Sequence, residues 1–218
     1  GKGMAENYDR AAESLGNVLH MEHVNLMIPE QEPAILFYIT GLRLTRDPFL
    51  MTGVENMWVN MGRSQIHLPS RNPIPQRLRG TLGIVVPDLK ELESSLGTIE
   101  DKLTGTKFSF VRKNDCIEAN CPWGNQFRIH EPSPEYGTMH LGMPYLELNA
   151  PVGSAEQIAR FYNEVFGAST HIGKRNGQAC ASVSTGNSQS LHFIETDRPQ
   201  LEYDGHHVAI YIADFLGP

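Results

Sequence analysis

The stretch HVNLMIP at residues 23–29 has the alternation of a half-buried strand. Close analogues return three times, as TLGIVVPD from Thr81, YLELNAP from Tyr145 and HVAIYIAD from His207. Starts at 23, 81, 145 and 207 lie 58, 64 and 62 residues apart. So regular an interval marks a repeated supersecondary unit, and every other segment must fit inside that repeat.

Later landmarks carry the same period. AILFYITGLRL at 34–44 and QIARFYNEVFGAS at 157–169 place apolar residues at helical spacing, share a Phe-Tyr pair, and reach a glycine positioned to end a helix. The second unit has the shorter DLKELESSLG at 88–97. The complete units close on the strands SQIHLP (64–69), NQFRIHEP (125–132) and SQSLHFIE (188–195), after further candidates at 55–62, 107–113 and 179–186. Each unit thus reads βαβββ. A small sheet with one helix leaves a face uncovered, so such units must pair. The expected fold is α+β, with repeated βαβββ units paired into two modules whose mixed sheets form clefts.

The proline- and glycine-rich EPSPEYGTMHLGMP at 131–144 suggests the division. The expectation is a first module at 18–132 (two units), a linker at 133–142, and a second module at 143–218. That second module holds the third unit and the opening strand of a fourth. Residues 1–17 are polar and read as a flexible arm, with Gly-Lys-Gly-Met at its start reading as a tag remnant.

A net charge of −7 with no basic cluster argues against nucleic acid and anionic membrane surfaces as partners. No run is apolar enough to span a bilayer. Three cysteines without ligand partners at zinc spacing read as buried, reduced thiols in a cytoplasmic protein.

Paired units of this kind resemble the vicinal oxygen chelate superfamily, which includes glyoxalase I, extradiol dioxygenases and bleomycin-resistance proteins. CPWGNQFRIHEP at 121–132 is similar to that family's Asp-Pro-x-Gly-Asn-x-x-Glu-Leu-x-Glu-Pro ending, and HVNLMIP with its Phe-Tyr helix is similar to its opening. The resemblance covers residues 18–218. It implies a divalent ion (Fe, Mn, Zn or Ni) that chelates two substrate oxygens. Ligands would come from the opening and closing strands of each unit. The opening positions are His23, Thr81, Tyr145 and His207, and the closing positions are His67, Arg128 and His192. Arg128 departs from the family's glutamate, and His130 shares its strand face.

Two metal sites follow as expectations, one from His23, His67 and His130 and one from His192 and His207. Arg128 could bind a substrate carboxylate or pair with an acid, and Tyr145 could donate a proton or simply pack. The implied function is a metal-dependent enzyme acting on a small oxygenated molecule, with a homodimer as an allowed assembly. The alternative is a metal-free binding or sequestering protein whose apolar cleft is lined by residues such as Trp58 and Phe110.

Overall fold

The computed structural model describes residues 18–48, 56–70, 73–186, 188–200 and 207–213, excepting the side chains of 18–20 and 207–213. The expected arm at 1–17 lies outside the described residues.

The first unit comprises β1 (Val18–Asn25), α1 (Gln31–Ala34, continuing as a π-helical stretch Ile35–Gly41), β2 (Thr45–Arg46), β3 (Asn56–Met61) and β4 (Ser64–Pro69). The second comprises β5 (Gly80–Val85), α2 (Leu89–Ile99), β6 (Ser109–Arg112), β7 (Cys116–Asn120) and β8 (Gln126–His130). The third comprises β9 (Gly142–Ala150), α3 (Ala155–Phe166), β10 (Thr170–Arg175), β11 (Gln178–Gly186) and β12 (Gln189–Glu195), and β13 (His207–Ala213) follows it. Within each unit the first strand runs parallel to the fourth, and the order is first, fourth, third, second.

Local chemistry explains the helices. Asp88 caps α2 by accepting the Glu91 N–H at 3.0 Å, and Leu89, Leu92, Leu96 and Ile99 make its buried stripe. The helix therefore runs two residues past Gly97, where the expected segment stopped. Gly167 ends α3 at φ 64, while Ala168 N–H reaches back to the Tyr162 carbonyl. Gly41 serves closeness instead, since a Cβ there would lie 2.7 Å from Ile99 Cδ1 where α1 packs on α2.

The pairing of units differs from the expectation. Units two and three join through antiparallel β5–β9 into an eight-stranded sheet, β10-β11-β12-β9-β5-β8-β7-β6. Unit one pairs instead with β13, in a five-stranded sheet ordered β13-β1-β4-β3-β2. The segment 133–142, expected to separate modules, connects two strands of one sheet. The first strand of every unit offers the same open edge, so the repeat leaves its partner unspecified. Two glycines of β5 admit β9 closely: a Cβ at Gly80 would run into the Glu147 carbonyl, and one at Gly83 into the Tyr145 ring.

Side chains alternate across the large sheet. Leu82, Ile84, Phe127, Ile129, Leu146, Val183 and Leu191 face a continuous core that also holds α1 and α2. The three cysteines are free and buried. Among the described residues no helix is long and apolar enough to cross a membrane.

Candidate functional site

The other face of the eight-stranded sheet is polar along its central strands. There β8 contributes Arg128 and His130, β9 contributes Tyr145 and Glu147, and β12 contributes Ser190 and His192. Gly83 pairs with Tyr145 on one side and with Arg128 on the other, and its missing side chain leaves room for the Tyr145 ring. The β10–β11 hairpin turns at Asn176 and Gly177, both at positive φ, and delivers Arg175 and Asn176 to the same place.

Glu147 is the buried hub of this group, 4% exposed. It accepts from Arg128 Nη1 at 2.9 Å, Arg175 Nε at 2.6 Å and Asn176 Nδ2 at 3.3 Å. Burial pushes its carboxyl up, but the Arg175 hydrogen bond and then Arg128 outweigh that and hold it below the ordinary value. The Arg175 guanidinium lies 4.8 Å from the Tyr145 ring centroid. Tyr145 Oη accepts from Arg128 Nη1 at 3.3 Å and lies 2.6 Å from His130 Nε2. Burial, then the Arg128 charge, lowers the His130 pKa, which favours the neutral imidazole. Burial likewise keeps the Tyr145 phenol protonated to higher pH.

His192 sits alongside, its ring 6.0 Å from that of Tyr145. Its Nδ1 meets Ser182 Oγ at 2.8 Å and its Nε2 meets Ser190 Oγ at 2.9 Å. Burial, then Arg175, lowers its pKa to about 4. Arg128, His130, Tyr145, Arg175 and Asn176 border a cleft of about 770 Å³ whose lining also includes Asp115, Glu118, Glu131, Glu135 and Tyr136. It is a charged and polar cleft, unlike the aromatic one expected of a sequestering protein. Phe110 packs against the core, and Trp58 lies in the other sheet.

His23 and His67 sit on that other sheet. The His67 ring stacks on Trp58 at 3.9 Å, with Nδ1 2.6 Å from Asn25 Oδ1 and Nε2 3.1 Å from Asn56 Oδ1. The His23 and His67 rings are 6.4 Å apart. The backbone of His207 pairs with Asn25, next to this group, and its side chain is outside the described residues. The structure thus gathers Arg128, His130 and Tyr145 in one cleft with His192 beside Tyr145 on the same sheet, and His23 and His67 on another sheet beside the strand of His207. Of the two histidine groupings expected from the sequence, the first has His130 on a different sheet from His23 and His67, and the second has the strand of His207 on a different sheet from that of His192.

The described residues do not fit a divalent ion. No three His, Cys, Asp or Glu side chains among them are placed to hold one. In the cleft, two arginines already neutralise the central carboxylate, and the ring nitrogens of His192 are taken by serine hydroxyls. Arg175, Asn176 and Glu147 were not legible as site residues from the repeat positions. The Asn-Gly at 176–177 was the available signal, because that dipeptide specifies a tight hairpin.

No family model and no curated protein matches the sequence. Solved structures do. Glyoxalase I from Zea mays is similar over 90% of this chain and 75% of its own, at 14% identity and a TM-score of 0.63. A Bacillus subtilis protein provisionally described as a dioxygenase is similar over 89% and 69%, at 14% identity and a TM-score of 0.58. The chain shares the fold of these structures.

Proposed function

We propose that the cleft of the eight-stranded sheet binds a small oxygenated molecule without a metal ion, through N–H donors of Arg128 and Arg175. The observation that carries this is the convergence on one buried carboxylate of two half-buried guanidiniums that both line an open cleft. Each guanidinium has five donors in a rigid fork, and Glu147 with Tyr145 engages Nη1 of Arg128 and Nε of Arg175. Glu147 fixes both forks in place before a ligand arrives, which reduces the ordering cost of binding.

A second reading, favoured by the 2.6 Å Tyr145–His130 contact, makes the site an enzyme that moves a proton on the bound molecule. His130 would act as the base, oriented by Tyr145, with its lowered pKa keeping it unprotonated at neutral pH.

The test is thermal-shift and calorimetric titration of chelator-treated protein against 2-hydroxy acids, 2-oxo acids, amino acids and vicinal diols. The titrations are repeated with added Mn²⁺, Fe²⁺, Zn²⁺ or Ni²⁺. Binding in the presence of chelator, weakened at least tenfold by Arg175→Gln, is expected. Binding that requires a divalent ion and is indifferent to Arg175→Gln would overturn the proposal and restore a metal-dependent enzyme.

A further inference from the structure

The charges around the cleft are divided in space. Arg128 and Arg175 lie on the floor with Glu147 between them, so the floor holds two cations and one anion. The wall holds Asp115 and Glu118 on and just before β7, and Glu131 and Glu135 in the connector from β8 to β9. Glu118 pairs with Lys113 at 3.3 Å and lies 3.9 Å from Arg128. Asp115, Glu131 and Glu135 have no ion-pair partner among the described residues, and all three are exposed.

A simple anion entering this cleft gains the two guanidiniums but must pass three uncompensated carboxylates. A simple cation gains the wall and is opposed by the floor. A molecule with both charges, held a few bonds apart, satisfies both surfaces, since complementary potentials select the partner as well as attracting it. A volume of about 770 Å³ is ample for a molecule of amino-acid size.

Resting on the reading that this cleft is the ligand site, we propose that its ligand is a small zwitterion. A carboxylate or comparable oxyanion lies against Arg128 and Arg175, and an ammonium lies against Asp115, Glu131 and Glu135. The Arg forks give the anionic end a bidentate seat, while the wall reads the cationic end at longer range through solvent.

The experiment titrates chelator-treated full-length protein with a panel of α-, β- and γ-amino acids. Each is matched with its N-acetyl derivative (anion only) and its amide (cation only). At least one free amino acid is expected to bind, and both of its derivatives to bind roughly tenfold or more weakly. The triple variant Asp115→Asn, Glu131→Gln, Glu135→Gln alters only exposed side chains, so its fold is expected to be intact, as a melting curve would verify. It should weaken the free amino acid while leaving the N-acetyl derivative as it was or tighter, and raised salt should erase that difference. If N-acetyl derivatives or plain carboxylates bind best, with dependence on Arg175, the zwitterion is wrong and the anion cleft stands. If amides bind best, the wall alone is the site. If nothing in the panel binds, both the zwitterion and the cleft reading fail.

Discussion

Glu147→Gln is the substitution that tests the organisation of the site most severely. The side chain is nearly the same shape, so packing is preserved; the charge is lost and one acceptor oxygen becomes an N–H donor. In the wild type the carboxylate, 5% exposed, neutralises Arg128 and Arg175, which are 24% and 28% exposed. Removing one partner of a fully buried pair costs about 3–5 kcal/mol. Here the stranded guanidiniums reach water with about a quarter of their surface, so a cost of about 2–3 kcal/mol is expected at pH 7. For a domain of this size, that lowers the thermal midpoint by roughly 4–12 °C.

The cost must also depend on pH in a definite sense. The carboxyl is held below its ordinary value of 4.5, so its stabilisation is fully present above about that pH. It is lost as pH falls through the folded-state value. Urea melts of both proteins from pH 7 to pH 3 should therefore converge toward the acid end. A gap that stays constant over this range, or one below about 0.5 kcal/mol at pH 7, would refute the claim that Glu147 is the ionised centre of the cluster.

Three other outcomes follow from the same structure. The His192 pKa lies near 4 in the folded protein against 6.5 ordinarily, so between these values the unfolded chain takes up a proton that the folded one refuses. Stability should fall as pH drops through that window, by at most about 3 kcal/mol, and His192→Gln should flatten that part of the curve in urea melts. Gly83→Ala should cost about 1–3 kcal/mol and alter the near-ultraviolet circular dichroism, since the added methyl must displace the Tyr145 ring. Asn125→Ala should cost about 1–3 kcal/mol in denaturant melts, because it orphans the buried Leu78 N–H now bonded to Asn125 Oδ1 at 2.7 Å.

The repeat made the architecture legible because strand, helix and closing strand each have a period that hydrophobic side chains reveal. Strands β3, β4, β6, β8 and β12 fall within the expected segments, and β11 begins one residue before its own. Others carry too little signal: β10, THIGKR, is almost wholly exposed at the sheet edge, and β7, CIEAN, is short. Which units share a sheet was not legible, because that depends on the closeness that Gly80 and Gly83 allow between β5 and β9. Position-matching named Arg128, His130, Tyr145 and His192 but divided them between two modules, whereas the structure puts them on one face of one sheet. It also marked Thr81, a poor ligand whose hydroxyl meets Gln126 at 3.4 Å, and passed over Glu147 two residues along from Tyr145. Glu147 reads as an ordinary strand residue until Arg175 is brought over it by a hairpin whose consequence is purely three-dimensional.

The central claim is that this cleft works through its arginines. The most direct measurement is calorimetric titration of chelator-treated protein with Mn²⁺, Fe²⁺, Zn²⁺ and Ni²⁺, beside wild-type and Arg175→Gln titrations with the best-binding small molecule. The account predicts no stoichiometric ion binding that His130→Ala or His192→Ala abolishes, together with ligand binding that Arg175→Gln weakens at least tenfold. A tight, stoichiometric ion lost on replacing either histidine, with ligand binding that depends on that ion, would contradict it.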